Sequence, residues 1–152
     1  MPEFKNGSTL GKTVEGARRE LDVFKSPKAH ANTTYQSDEV TAICPITSQP
    51  DQYTVAIQIQ ETQWLIESKS LKLYFQSFRN EGIFCEEFAS RVCEDVKKAT
   101  KAGNIIVRVD QKARGGVSIA SVSSVQEISM QMDMPPAQLL QAVGKRHGGS
   151  RK

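Results

Sequence analysis

The clearest periodicity lies in the middle of the chain. Tyr53, Val55, Ile57 and Ile59 alternate with Thr54, Gln58 and Gln60, so an extended segment would have one apolar and one polar side. Successive side chains of a strand point to opposite faces, and the pattern therefore predicts a strand with one buried face. A shorter apolar run, Val40 to Ile43, precedes it and predicts a partner strand. Leu71, Tyr74, Phe75 and Phe78 then recur at helical spacing. Phe88, Val92, Val96 and Ala99 do so again, and Asn80-Glu81-Gly82 divides the two sets. Alternation returns at Ile105, Val107 and Val109, set against Ile106, Arg108 and Asp110. It continues through Val117, Ile119 and Ser121 past Gly115-Gly116, which predicts a second antiparallel pair.

The order is strand, strand, helix, helix, strand, strand. Its economical packing is one antiparallel sheet with both helices on a single face, an α+β domain. That domain is expected over residues 34–129. Residues 1–33 mix Gly, Lys, Ser and Glu with only short apolar clusters such as Leu21-Asp22-Val23-Phe24, and read as an arm over the domain. Residues 130–152 read as a basic appendage: Met132-Asp133-Met134-Pro135-Pro136, a short helix over 137–143, then a tail rich in Gly and Lys. So small a sheet leaves two unpaired edges, and pairing between subunits would cover them, so a homo-oligomer is expected.

Composition narrows the picture further. With 152 residues, 38% of them hydrophobic, the chain has room for one modest core. The net charge of +3 gathers at Lys145-Arg146 and Arg151-Lys152, which permits an anionic ligand or nucleic acid and demands neither. No apolar run approaches the roughly 18 residues that span a bilayer, and the start Met1-Pro2-Glu3-Phe4-Lys5 lacks the apolar core of a secretory signal. A cytoplasmic protein without membrane contact is expected. Cys44, Cys85 and Cys93 form an odd set with no disulfide framework, which suits a reducing compartment.

Three constellations carry candidate chemistry. Cys44 follows a predicted strand and precedes Pro45, and the turn chemistry of Thr47-Ser48-Gln49-Pro50 can fold Asp51 back toward its sulfur. A thiol and a carboxylate can serve as nucleophile and acid/base. On spacing alone, a buried loop cysteine and a turn aspartate are the commoner finding. In the second, Glu67-Ser68-Lys69-Ser70-Leu71-Lys72-Leu73-Tyr74 opens the first helix. There Ser68 or Ser70 can cap, leaving free amides beside Lys69 and Lys72 as an anion site, although an ordinary amphipathic helix start looks the same. In the third, Phe84-Cys85-Glu86-Glu87 opens the second helix. A carboxylate there can accept two hydrogen bonds from a guanine-like edge or simply complement the helix dipole. Arg114-Gly115-Gly116 reads first as a hairpin turn and second as a phosphate contact.

The order and wording of these segments resemble the NADPH-dependent 7-cyano-7-deazaguanine reductases. Cys44-Pro45-Ile46-Thr47-Ser48-Gln49-Pro50-Asp51 is similar to their nucleophile segment, and Glu67 through Tyr74 to their signature motif. Gln76-Ser77-Phe78-Arg79-Asn80, Gly82, Phe84 and Arg114-Gly115-Gly116-Val117-Ser118-Ile119 also match, so the likeness runs from about Glu39 to Ser121. It implies a tunnelling fold, whose subunits assemble into barrels with active sites between them. It also implies reduction of the nitrile of 7-cyano-7-deazaguanine to 7-aminomethyl-7-deazaguanine by NADPH, in queuosine biosynthesis. The implied roles are a Cys44 thioimide and Asp51 as proton donor, with Glu86, Glu67 and Ser68 toward the substrate. Lys69, Lys72, Arg114 and Gly115 would then lie toward the cofactor.

Three positions depart from that pattern: Cys85 where the family usually has His, Gln52 where it has an aromatic residue, and Ser48 where it has Gly. Other readings are an amidinotransferase acting on the same nitrile in tRNA or DNA without NADPH, for which the basic tail speaks, and a non-catalytic deazapurine-binding module. A zinc hydrolase of the same architecture lacks ligands, since the sequence has no CxxC, no HxxxH and no histidine between His30 and His147.

Overall fold

The structure, a computed structural model, describes residues 4–5, 16–27 and 31–126. The expected helix over 137–143, the basic C-terminal tail, His30 and His147 lie outside the described residues. Seven strands and two helices follow one another as β1 (Phe4–Lys5), β2 (Val23–Lys25), β3 (Ala31–Ile43), β4 (Pro50–Thr62), β5 (Trp64–Ile66), α1 (Ser68–Gln76), α2 (Cys85–Thr100), β6 (Asn104–Arg114) and β7 (Val117–Gln126).

The main sheet is antiparallel in the order β3-β4-β6-β7. On β4, Tyr53, Val55, Ile57 and Ile59 are fully buried on the face covered by the helices, and Val107 and Val109 pair with Ile57 and Val55 from β6. Phe88, Val92 and Val96 of α2 and Tyr74 of α1 close that layer. A chain of rings ties the helices together, with Tyr74 edge-on to Phe78 at 5.2 Å and Phe78 4.6 Å from Phe88. The Tyr74 hydroxyl donates to Asp95 Oδ2 at 2.6 Å, so its polar end is satisfied at the rim of the core. No helix among the described residues is long and apolar enough to cross a membrane.

Two features differ from the sequence expectation. The partner strand is longer than the run Val40 to Ile43, because β3 begins at Ala31, ahead of the boundary expected at 34. Its first half is polar and lies on a sheet edge, and its register shifts between Ser37 and Val40, so no apolar alternation marks it. A second sheet, β1-β2-β5, was not foreseen. Val23 pairs with Ile66 and Phe24 with Leu65, and Leu21, Asp22 and Val23 are buried. Strands of two or three residues are too short to show a period, and this pairing joins segments far apart in sequence.

Candidate active site

The loop 44–49 joins β3 to β4 and is held at both ends. The Cys44 amide donates to the Gln49 carbonyl at 2.8 Å, and the Ser48 amide donates to the Cys44 carbonyl at 2.9 Å. Ser48 takes the left-handed conformation, φ 56°, that such a tight loop requires. A glycine adopts it without strain, which accounts physically for the departure noted at this position. The loop is also pinned from below. The Ile43 amide donates to the Glu81 carbonyl and the Ile83 amide to the Ile43 carbonyl, so the segment after α1 clamps the residue before Cys44.

Antiparallel pairing brings the end of β6 beside this loop. Tyr53 faces Gln111, and a register shift between Gln111 and Arg114 re-aims the last residues of β6. Arg114 consequently reaches across. Its Nη1 donates to Thr47 Oγ1 at 3.0 Å and to Gln49 Oε1 at 3.2 Å, and its Nε lies 3.3 Å from Asp51 Oδ1. Cys44 and Asp51, predicted as a pair, thus share a cationic neighbour. Arg114 was expected toward the cofactor, whereas in the structure it bridges the nucleophile loop. Gly115 and Gly116 form the two-residue β6–β7 turn with φ 59° and 80°, the backbone that such a hairpin needs.

The electrostatics follow from this geometry. The Thr47 hydroxyl, then Arg114, then the backbone of Thr47 and Ile46 stabilise a negative sulfur, and the Cys44 pKa is lowered to about 6. A thiol in that range is mostly thiolate at neutral pH. Cys85 behaves oppositely. It is buried at the start of α2 with Sγ 3.7 Å from the Val109 carbonyl, and burial followed by the Glu86 charge pushes it up to about 11. Cys93 is also buried, and burial raises it too.

At α1 the expected serine cap is corrected. The cap is Glu67, whose Oε1 accepts from the Lys69 amide at 2.9 Å and whose Oε2 accepts from the Ser70 amide at 2.8 Å. A carboxylate complements the helix dipole better than a hydroxyl and already fills the amides that an anion would use, so those amides are no phosphate site. Ser70 instead ties the N-terminal segment to the helix, accepting from the Asp22 amide at 3.0 Å. Ser68 opens α1 on the exposed side.

A cavity of about 540 Å³ lies between β3 and α1, lined by Tyr35, Ser68, Lys72, Phe75, Gln76 and Arg79 among others. Lys72 and Arg79 form no ion pair with the described residues. Two cations, amide and hydroxyl groups and two rings suit a dinucleotide, whose phosphates need donors and whose bases need flat apolar surface. Arg79 was missed as a site residue, although its spacing from Lys72, Phe75 and Gln76 places it on their helical face. Lys69, the other predicted lysine, is half-buried and does not line the cavity. Glu86 is exposed in the first turn of α2 and has no ion-pair partner among the described residues, while neighbouring Glu87 is held by Arg91 at 2.8 Å.

Comparison with known proteins adds family membership. Residues 50–129 match a model described as QueF-like protein. A protein of Frankia casuarinae named NADPH-dependent 7-cyano-7-deazaguanine reductase is 36% identical over 115 residues, covering 76% of this chain and 92% of the relative. The chain belongs to the QueF-like family. A relative of the same name in Anaeromyxobacter dehalogenans is 39% identical over 101 residues, covering 65% of this chain and 83% of its own length. The fold is also that of a crystal structure titled the archaeosine synthase QueF-Like in the apo form. That structure has a TM-score of 0.58 and 20% identity, covering 68% of this chain and all of the other. The QueF-like chain is therefore an α+β protein of the tunnelling-fold type.

Proposed function

We propose that this chain reduces the nitrile of 7-cyano-7-deazaguanine to the aminomethyl group with NADPH, through a covalent thioimide on Cys44. The observation that carries the reading is the sulfur of Cys44, held by Thr47 and Arg114 at a pKa of about 6 beside Asp51. A nitrile carbon is electrophilic, and a thiolate at neutral pH adds to it readily. As the carbon–sulfur bond forms, one carbon–nitrogen π pair moves to nitrogen, which takes a proton from Asp51.

The carboxylate of Glu86 accepts from the guanine-like edge of the heterocycle and fixes its orientation. Glu67 and Ser68 shape the approach to the site at the start of α1. Lys72 and Arg79 in the β3–α1 cavity, with Lys69 nearby on α1, would hold the cofactor phosphates, while Arg114 serves the thiolate and Gly115 its turn. When bound, the dihydronicotinamide supplies the two hydrides that convert a nitrile to an amine.

The working unit is a homo-oligomer in the cytoplasm, with residues 34–129 as its catalytic domain. Support for assembly comes from the unpaired β3 and β7 edges and from Val117, Ile119 and Val122, exposed on β7. The transferase reading is not favoured, since the curated relatives carry NADPH-dependent names.

The test is loss of NADPH near-ultraviolet absorbance. Wild-type protein consumes NADPH only when the nitrile is present, and Cys44→Ala consumes none. Nitrile-independent consumption, or turnover by Cys44→Ala, refutes the mechanism.

A further inference from the structure

Two polar atoms at the inner end of β4 are completely buried and accept or donate no hydrogen bond among the described residues: Asp51 Oδ1 and the Tyr53 hydroxyl. Asp51 Oδ1 has the Arg114 Nε at 3.3 Å as an ion-pair neighbour, but not as a hydrogen-bond donor. The two residues are alternate positions of one strand, so their side chains rise from the same face, toward the helices. Tyr53 is wholly buried. Its ring stands edge-on to Phe88 at 5.3 Å, one turn along α2 from Cys85. A core that needed only the ring would be served by phenylalanine, because a buried hydroxyl without a partner is a cost.

We propose that the Tyr53 hydroxyl is the positioning and proton-relay group behind Asp51, resupplying the carboxyl that protonates the substrate nitrogen. This rests on the thioimide reading above. A phenol both donates and accepts, as a relay must. Burial first, then the charges of Asp51, Cys85 and Cys44, raise its proton affinity, with Arg114 in opposition, so it remains a donor at neutral pH. Those charges also place the hydroxyl among the reacting groups.

The neighbouring Cys85 cannot take the part. Its thiol points at the Val109 carbonyl with a pKa of about 11, and the sequence has no histidine between His30 and His147. In the addition step the Cys44 sulfur bonds to the nitrile carbon, a π pair becomes the nitrogen lone pair, and nitrogen takes the Asp51 proton. Asp51 takes the proton of Tyr53, and Tyr53 takes one from water in the same movement, so no free phenolate forms. The sum is thiolate, nitrile and one proton giving the neutral thioimide.

The experiment needs no cofactor. Wild type and Tyr53→Phe are mixed with 7-cyano-7-deazaguanine alone, and the Cys44 adduct is followed by mass against pH in light and heavy water, with thermal midpoints measured alongside. Tyr53→Phe should form the adduct about tenfold more slowly at pH 7. Its deficit should grow as pH rises, because Asp51 must then be recharged directly from solution, and its solvent isotope effect should differ from that of wild type. Its thermal midpoint should equal or exceed the wild-type value, since only an unpaired hydroxyl has gone. Equal adduct rates and pH profiles in the two proteins overturn the role of Tyr53 while leaving the thioimide standing. So does a slowing that comes with a lower midpoint and an unmoved pH profile. If wild type itself forms no adduct, the thioimide reading falls and the relay falls with it.

Discussion

At the scale of single residues, the decisive placement is Arg114 against the loop that carries Cys44. The guanidinium and Thr47 together hold the sulfur as thiolate, so the rate of Cys44 alkylation by iodoacetamide should rise with pH and reach half its maximum near pH 6. Thr47 is the larger influence. Thr47→Val should move the midpoint upward toward the ordinary thiol value of about 8.5, and Arg114→Ala should move it the same way by less; unmoved midpoints would mean that another feature sets the thiolate. Ser48 carries a different kind of strain. Its left-handed backbone is costly for any residue with a Cβ, while glycine loses more freedom on folding. The balance predicts that Ser48→Gly stabilises the protein by about 0.5 kcal/mol, read as a shift in the urea midpoint.

At the scale of elements, the long strand β4, the two helices and the β6–β7 hairpin were legible because each has a sustained period or a glycine turn. Cys44 and Asp51 were legible as a pair because the turn residues between them fold the chain back. What was not legible depended on partners remote in sequence. The polar half of β3 is a strand because β4 pairs with it, and β2 is one because Ile66 and Leu65 do. The cap of α1 was assigned to serine from local preference, yet Glu67 fills it because its two oxygens satisfy two amides at once. Glu67→Ala should therefore destabilise the protein by about 1–2 kcal/mol, visible in thermal unfolding. A stability loss no larger than that of Ser68→Ala would return the cap to the serine. The same reasoning reaches the join between helices. Tyr74→Phe removes the hydrogen bond to Asp95 from an otherwise unchanged ring stack, at a cost of about 1–2 kcal/mol.

At the scale of the whole molecule, the sheet has one covered face and two open edges. β7 presents Val117, Ile119 and Val122 at 64%, 36% and 43% exposure, an apolar row that a single chain leaves in water. Assembly of copies through this surface would cover the row and extend the sheet, so sedimentation should give a mass well above the 16.8 kDa of one chain. Ile119→Lys should lower that mass. A monomer at micromolar concentration would contradict the oligomer.

The account as a whole turns on one bond, between the Cys44 sulfur and the carbon of a cyano group. Its most direct measurement is the mass of the intact protein after incubation with 7-cyano-7-deazaguanine alone, followed by peptide mapping. The account predicts a gain equal to the whole nitrile molecule, located on Cys44, absent in Cys44→Ala and removed on adding NADPH. No gain, or a gain mapped to Cys85 or Cys93, would contradict it.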